Sequence, residues 1–468
     1  MKKIYLFLTV VLAAIQLCAF EHNGVEYTVI DENSVKIANG TGVTGEVVIP
    51  ETVTDPSDGK TYTVTEVGKQ AFAYANISYL TLPNTVKSIG RVAFSYSTIQ
   101  TIQLSETLEE IGYNAFSHCT ELTSIEIPNS VKIVGTESPI TGASGSAFFG
   151  CIKLKSVKLP DTLDKIDDIT FKECESLESI EIPETVTYIG DQAFAGCKSL
   201  ETIVLPESVQ EIGESAFGAC LSLTSVKLPS QLKKIKFSTF IECSSLTKID
   251  IPEAVDEIGK QAFSACRSLT EVNVPNSVEH IATDAFYGCG EVEKVVLGTG
   301  VRRMGCASMA VWTINQMQRA EWKVKEIYCY STVVPEYFHE VVLHELPEDF
   351  FFGTPDIDEE QQEEFYKTVT LYVPQEAIEE YKKSPQWNRF HNILAIGTSD
   401  IDAAKAEQAA LEFDGTVVRT NHTCGIALYT ITGVRVAQTE ASELNVKGLN
   451  AGIYIARSGH STRKIVIR

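Results

Sequence analysis

The stretch from Leu177 to Cys197 reads L-E-S-I-E-I-P-E-T-V-T-Y-I-G-D-Q-A-F-A-G-C, and its frame recurs along the middle of the chain. The phenylalanine of the frame returns every 23 residues, at Phe148, Phe171, Phe194, Phe217, Phe240, Phe263 and Phe286. Earlier copies stand 22 residues apart, at Phe72, Phe94 and Phe116. Such a period is typical of a solenoid, because one repeat cannot bury its apolar face without its neighbours. We therefore predict a repeat solenoid, a fold that presents broad surfaces to partners.

Each position of the frame has a predicted role. Ile180 and Ile182 alternate with polar residues, which is the pattern of a strand with one buried face. Pro183 cannot donate to a β ladder and is expected to end that strand. A second short extended segment closes at Gly190, a residue that can take a positive φ. The A-F-x-x-C piece is predicted to form one helical or 3₁₀ turn that carries its Phe and Cys inward.

A column of cysteines accompanies the phenylalanines, three residues after each of them. Its members are Cys119, Cys151, Cys174, Cys197, Cys220, Cys243, Cys266 and Cys289. Equivalent residues of stacked rungs lie about 4.8 Å apart, whereas the Cβ atoms of a disulfide lie about 3.8 Å apart. We therefore expect free thiols that act as small buried apolar groups. The spacing also lacks the short C-x-x-C pairs of zinc sites, and we predict neither a metal nor a cofactor.

The frame L-x-x-I-x-I-P-x-x-V-x-x-I-G-x-x-A-F-x-x-C resembles the BspA-like class of leucine-rich repeats, which occurs in bacterial surface proteins. The resemblance covers roughly residues 44–305, with departures such as Thr170 and Thr239 in place of alanine. It implies a leucine-rich-repeat solenoid of parallel β rungs joined by short helical or 3₁₀ turns. The predicted boundaries are 20–50 for an N-terminal β cap, 51–305 for the solenoid and 306–396 for its C-terminal cap.

The amino terminus has the features of a secretory signal peptide. Met1-Lys2-Lys3 is followed by an apolar run that ends at Leu17, and we predict a signal peptide over residues 1–19. The bulky Leu17 before Cys18 disfavours the alternative of a lipoprotein anchor. No later apolar run reaches the length of about 20 residues that is needed to span a bilayer. The net charge of -23 disfavours nucleic acid as a partner.

Residues 416–468, which follow a predicted linker at 397–415, alternate apolar and polar residues as β-strands do. Their stretch Leu444-Asn-Val-Lys-Gly-Leu-Asn-Ala-Gly-Ile-Tyr-Ile-Ala-Arg457 closely resembles the carboxyl-terminal sorting domain of the type IX (Por) secretion system of Bacteroidota. The residues that carry this resemblance are Gly433, Gly448, Gly452 and Tyr454. The resemblance implies a small β-sandwich that directs export to the outer cell surface by the type IX machinery.

Signatures of catalysis are missing from the sequence. It contains neither the G-x-S-x-G motif of a serine hydrolase nor a P-loop. The stretch His339-Glu-Val-Val-Leu-His344 misses the zinc motif H-E-x-x-H by one residue. We therefore predict that the protein is not an enzyme.

Two segments are predicted to be exposed loops. The acidic segment 345–364 is expected to be mobile and solvated, and calcium binding is the alternative because carboxylate oxygens suit that ion. Residues 136–146 are an insertion into one rung, and their composition indicates an exposed loop. This loop is either a tolerated insertion or a contact loop.

The outward-facing strand positions form two columns along the predicted solenoid, and these are the candidate binding surface. The residues singled out are Lys158, Glu181, Lys227, Lys248, Asp250, Glu271, Asn273 and Lys294. Charges of alternating sign, such as Lys158 beside Glu181, leave open the alternative that the columns only form ion pairs between rungs. No aromatic stack is recognised in these columns, which argues against a carbohydrate platform.

We expect a secreted, cell-surface-attached leucine-rich-repeat protein that binds other proteins without catalysis. The resemblance to the BspA-like class implies adhesion, either to host extracellular matrix or between bacteria. Two alternatives stay open, a structural component of a surface layer and a glycan-binding accessory protein.

Overall fold

The computed structural model describes residues 19–135, 145–314, 320–337, 352 and 359–396, and in the C-terminal region 411–413, 416–420, 426–430, 435–439, 441, 443–449, 452–458 and 461–467. Several predictions fall outside these residues: the signal peptide up to residue 18, insertion residues 136–144, the stretch His339–His344, most of the linker and Gly433. The chain forms two compact units that divide at residue 393.

The N-terminal strands combine antiparallel hairpins with parallel pairs that lead into the first rungs. They are β1 (Ala19–His22), β2 (Val25–Val29), β3 (Ser34–Asn39), β4 (Thr44–Val48), β5 (Thr52–Thr54), β6 (Thr61–Val67) and β7 (Asn76–Thr81). β1, β2 and β3 pair in antiparallel order, and β3 then pairs in parallel with β6. The buried ring of Phe20 packs against Tyr27 and Tyr62, so that β1 is held by the core.

Most rungs contribute a longer strand to one side of the solenoid and a two-residue strand to another. These strands are β8 (Ser88–Ile89), β9 (Thr101–Gln103), β10 (Glu110–Ile111), β11 (Ser124–Glu126), β12 (Ile133–Val134), β13 (Ser156–Lys158), β14 (Lys165–Ile166), β15 (Tyr188–Ile189), β16 (Thr202–Val204), β17 (Glu211–Ile212), β18 (Ser225–Lys227), β19 (Lys234–Ile235), β20 (Glu257–Ile258), β21 (Glu271–Val274), β22 (His280–Ile281), β23 (Lys294–Leu297) and β24 (Arg303–Met304). Equivalent strands of neighbouring rungs pair in parallel and in register, which confirms the predicted solenoid.

The core of the solenoid is a column of stacked phenylalanine rings. From Phe72 to Phe286, neighbouring ring centroids lie 5.0–5.5 Å apart and the ring planes differ by no more than 17°. All ten rings are fully buried. Because every ring contacts the next rung, burial is shared along the array and no rung is stable by itself.

The A-F-x-x-C segment forms consecutive turns in place of the expected helical turn. Cys197 N–H donates to the Phe194 carbonyl of its own rung at 3.1 Å, whereas Phe194 N–H donates to Ala216 O of the next rung at 2.8 Å. The residue just before this segment and the fourth residue within it adopt the left-handed backbone, and most of these residues are not glycine. Even the β-branched Val92 and Ile169 have a φ of 58° there. The hydrogen bonds between rungs hold a conformation that is otherwise unfavourable for such residues.

The glycine that closes the second strand lies against the backbone of the preceding rung. Gly190 and Gly213 are not among the residues with a positive φ. A Cβ atom on Gly213 would lie 2.4 Å from Asp191 N and 2.5 Å from Gly190 C of the preceding rung. The position therefore requires glycine because two backbones approach closely, and its capacity for a positive φ is not used at Gly190 or Gly213.

The predicted strand ladder is interrupted at two rungs. Residues 179–182 and 248–251 are not in paired strands, although the first of these segments keeps Ile180 and Ile182 buried and Glu181 exposed. The interruption therefore concerns backbone pairing and leaves the alternation of side chains intact. Both segments follow rungs in which Asp167 or Lys236 replaces the closing glycine.

The cysteines of the column are buried free thiols, and each one donates a hydrogen bond. The Sγ atoms lie 3.1–3.3 Å from the carbonyl oxygen of the phenylalanine in the preceding rung. Burial raises the pKa of the Cys119, Cys243 and Cys289 thiols to about 12. The thiols are therefore protonated donors as well as apolar filling.

The parallel pairing continues past residue 305 into the C-terminal part of the first unit. Its elements are β25 (Thr313–Ile314), β26 (Ala320–Glu321), β27 (Glu326–Cys329), β28 (Glu336–Tyr337), α1 (Glu359–Thr368), β29 (Thr370–Val373), a 3₁₀ helix (Gln375–Ala377), α2 (Ile378–Lys383) and β30 (Asn392–Ala395). β23 pairs in parallel with β27, and β27 with β29. Trp312 takes the place of the column cysteine in the last rung and donates from Nε1 to Phe352 O at 3.0 Å.

Part of the acidic segment is helical, contrary to the expected mobile loop. Residues 359–364 begin α1, which buries Gln361, Gln362, Phe365 and Tyr366. Glu359 and Glu360 lie in its first turn, where negative charge interacts favourably with the helix dipole. The buried aromatic residues anchor the helix to the core, which explains why the acidic composition does not prevent its folding.

The second unit is a small antiparallel β domain. Its strands are β31 (Leu411–Phe413), β32 (Val417–Thr420), β33 (Ile426–Thr430), β34 (Arg435–Thr439), β35 (Glu443–Asn445), β36 (Gly452–Ser458) and β37 (Ser461–Ile467). They form two sheets, in the orders β31-β32-β35 and β34-β33-β36-β37. A separate apolar cluster that includes Leu428, Leu444 and Tyr454 lies in this unit. The predicted small C-terminal β domain is thus confirmed.

Candidate binding surfaces

The outward side chains of the longer strands form what we call the strand face. Its two columns follow the register of the parallel pairs, for example Ser124 beside Ser156 and Glu126 beside Lys158. Between these residues the buried Ile125 and Val157 point into the core. The alternation places the predicted binding residues on one side of the solenoid.

Ion pairs occupy much of this face. Lys158 forms a hydrogen-bonded ion pair with Glu126, and this bond raises the pKa of the lysine. Lys248 pairs with Asp250 of its own segment at 3.0 Å, and Lys227 lies 3.8 Å from Glu207. These pairs are exposed to water and ions, so each adds little stability. A partner that breaks these pairs to bind their charged groups therefore lowers the folding stability only slightly.

The remaining predicted residues differ in exposure. Glu181 and Asn273 are exposed, whereas Glu271 is half-buried and lies opposite Lys294 in the parallel register. The ammonium of Lys294 lies 5.1 Å from the ring centroid of Tyr328 in the next rung.

The strand face carries an aromatic pair that the sequence argument missed. Tyr328 and Tyr372 continue the column of Asn273 and Val296, and their rings stack with centroids 4.7 Å apart. Their hydroxyls donate to Glu326 at 3.1 and 3.4 Å. The statement that no aromatic stack lines these columns was therefore wrong at their C-terminal end. The missed signal was the alternation of residues 326–329 and 370–373, which matches that of the rungs.

A second aromatic stack lies away from the strand face, on the turns of the first three rungs. We call Tyr74, Tyr96 and His118 the aromatic ridge. Neighbouring rings are parallel, with centroids 5.2 Å and 4.5 Å apart. Tyr74 is 72% exposed and Tyr96 is 49% exposed. All three residues stand two places after the core phenylalanine of their rung, a position that the repeat leaves variable.

The ridge residues adopt the left-handed backbone, with φ between 57° and 61°. This conformation costs a non-glycine residue about 1–2 kcal/mol. A stacked aromatic pair contributes about 0.5–1.5 kcal/mol. Rungs without an aromatic residue at this position, such as those of Glu173 and Glu242, adopt the same backbone, so the strain belongs to the turn and the stacking is specific to the ridge.

The sorting-motif residues lie in the second unit. Tyr454 is buried in its apolar cluster, and Gly448 has a φ of 104°, a backbone that favours glycine. Gly452 begins β36, and Gly433 lies outside the described residues.

Two further properties limit the chemistry of the described residues. They contain no group of three or more His, Cys, Asp or Glu side chains placed to hold a metal ion. No helix in the described part of the chain combines the length and apolar character that a membrane span requires.

The family model described as the BspA type leucine-rich repeat region matches residues 65–140, 137–246 and 190–310, in six copies. The protein belongs to the BspA type leucine-rich repeat family. The matched residues contain the Phe column and the cysteine column, which are thus features of this BspA type repeat array.

Several solved structures are similar to this BspA type chain. A leucine-rich cell surface protein from Faecalibacterium prausnitzii is 24% identical, over 62% of this chain and 90% of that one, with a TM-score of 0.41. A leucine-rich repeat protein from Bacteroides ovatus is 26% identical, over 68% and 100%, with a TM-score of 0.40. The pneumococcal vaccine antigen PcpA is 22% identical, over 81% and 98%, with a TM-score of 0.42. No curated protein matches the chain significantly.

Proposed function

We propose that this cell-surface leucine-rich-repeat protein is an adhesin that binds extracellular proteins through its strand face. The observation that supports this function best is the register of the strand face, which repeats exposed side chains rung after rung. Charged and aromatic residues, Lys158 and Tyr328 among them, stand there on a rigid core. Repeat arrays use such extended surfaces for partner binding, because a long partner contacts many rungs at once. The binding is non-catalytic, with host matrix proteins or surface proteins of other bacteria as partners.

The test uses the chain without its signal peptide on an array of extracellular matrix proteins. A strand-face variant carries Lys158→Glu, Lys227→Glu and Lys248→Glu. The matched control carries Lys153→Glu, Lys198→Glu and Lys260→Glu, which change the net charge equally and lie off the strand face. Saturable binding that is lost only in the strand-face variant supports the proposal. Equal loss in both variants would show a nonspecific charge effect, and binding by neither the parent nor the control would favour a structural surface-layer role.

We propose further that the second unit directs export by the type IX system of a Bacteroidota cell. The independent core of this unit and the left-handed Gly448 support a compact, recognisable C-terminal signal. A fluorescent reporter placed between residues 1–19 and residues 394–468 is expected to reach the surface of a Bacteroidota host with an intact type IX system. It should stay in the periplasm of a host that lacks the system. Surface display in both hosts would contradict the assignment.

A further inference from the structure

We propose that the aromatic ridge of Tyr74, Tyr96 and His118 is a stacking site for a neutral oligosaccharide. The site lies on the turns, apart from the strand face, and nothing in the adhesin proposal assigns it a role. It is an additional binding site of the same non-catalytic protein.

The first argument is that the aromatic residues are confined to one end of the array. At the same position, later rungs carry Gly150, Glu173, Gly196, Ala219, Glu242, Ala265 and Gly288. The ridge ends at His118, whose ring meets the edge of Phe149 at 4.7 Å. A Cβ on Gly150 would lie 3.1 Å from the His118 ring, so the next rung leaves room for that ring. The three neighbouring aromatic rings thus form a bounded patch, which the later repeats do not continue.

The second argument concerns the exposed ring surface. Tyr74 stacks on Tyr96 with one face, and its exposure of 72% places most of the rest of the ring in water. A flat apolar face in water is suited to the C–H face of a pyranose ring, which presents hydrogens with slight positive charge to the π electrons.

The third argument is the chemistry beside the ridge. Two residues after each ring stand Asn76, Thr98 and Thr120, which offer amide and hydroxyl groups for hydrogen bonds. Thr98 Oγ1 donates to Asn76 Oδ1 at 3.0 Å, so the side chains of these two residues lie side by side. The equivalent positions of the next three rungs carry Ile152, Glu175 and Lys198. Uncharged polar groups beside an aromatic face fit sugar hydroxyls, and Asn76, Thr98 and Thr120 carry no positive charge to bind a sulfated or acidic glycan.

The test measures binding of the full chain without its signal peptide to an array of neutral oligosaccharides with gluco, manno, galacto and xylo backbones, beside a heparin hexasaccharide. Calorimetry then gives the affinity for the bound neutral sugar. The variants are Tyr74→Gly and Tyr96→Gly, which suit the left-handed backbone and keep the rung folded. Glu242→Gly is the matched control, because Glu242 has the same backbone conformation in a rung without the ridge. Tyr74→Phe keeps the ring.

The expected result is saturable binding of a neutral oligosaccharide, weakened at least about tenfold by either Tyr→Gly change. Glu242→Gly and Tyr74→Phe should leave the affinity within about twofold of the parent, because neither change removes an aromatic ring of the ridge. Binding of none of the neutral sugars, binding of heparin alone, or equal affinity in all variants would overturn the proposal. The triple lysine variant of the strand face should retain sugar binding. If matrix proteins bind while no sugar does, only this inference fails and the adhesin proposal stands.

Discussion

At the scale of single residues, the cysteine column shows how one side chain serves two rungs. The Cys220 thiol fills a buried space in its own rung and donates to Phe194 O of the preceding one at 3.3 Å. The same carbonyl accepts the N–H of Cys197 at 3.1 Å, so both of its lone pairs are used. The 23-residue spacing predicts the burial of these thiols, but it does not predict the donor role. That role depends on the position of a carbonyl in a neighbouring rung, which the spacing alone does not reveal.

We predict that Cys220→Ala lowers the free energy of unfolding by about 1–3 kcal/mol, because it creates a cavity and removes a buried hydrogen bond. Cys220→Ser keeps a donor, and we expect it to be less destabilising by about 1 kcal/mol. Urea unfolding of both variants, with the parent protein beside them, measures the difference. If the serine variant is as unstable as the alanine variant or less stable, the thiols act only as apolar filling.

At the scale of the element, the contact between one rung and the next decides which residues are allowed. The closing glycines are packed against the backbone of the preceding rung, whereas the left-handed positions of the turns tolerate Val92 and Ile169. Gly190 and Gly213 therefore mark a close approach of two backbones, whereas the positive φ lies at turn positions such as Val92 and Ile169. The backbone conformation of a turn follows from hydrogen bonds between rungs, and these bonds cannot be predicted from the sequence of a single repeat.

We predict that Gly213→Ala destabilises the protein by about 1–3 kcal/mol, because its new Cβ overpacks a rung contact that cannot relax. The Cβ would lie 2.4 Å from Asp191 N, an atom of the rigid backbone. Gly42→Ala is the matched control, since a Cβ there meets nothing within 4 Å. Denaturant unfolding should show almost no change for the control. Equal stabilities of the two variants would mean that the rungs can separate slightly to admit a methyl group.

Much of the strand face was predictable from the sequence, because a period of two residues in each rung fixes which side chains point outward. The inward and outward positions of residues 124–127 and of their successors follow from that period. The aromatic pair Tyr328 and Tyr372 was not found, since its strands are separated by segments without the repeat frame. The aromatic ridge was missed for another reason: its residues occupy a turn position that the frame leaves variable.

At the scale of the whole molecule, the buried cysteine column makes the stability of the protein depend on pH. Burial raises the pKa of the Cys119, Cys243 and Cys289 thiols to about 12, and it raises the pKa of the other column thiols as well. In an unfolded chain a thiol has a pKa of about 8.5. Between about pH 8.5 and 12 the unfolded chain therefore binds fewer protons than the native one, and stability falls as the pH rises.

We predict that the free energy of unfolding is nearly constant with respect to these thiols below about pH 8 and then falls, with a slope that approaches about 1.4 kcal/mol per pH unit for each buried thiol. Urea unfolding between pH 8 and 9.5 measures the slope in a window where most lysines and tyrosines still keep their protons. The double variant Cys220→Ala, Cys243→Ala removes two of these thiols, and its slope should be shallower by an amount that approaches two protons at the upper end of this pH range, although the variant is less stable at pH 7. A parent protein with equal stability at pH 8 and 9.5 would mean that the thiols ionise within the folded array, which requires rungs open to water.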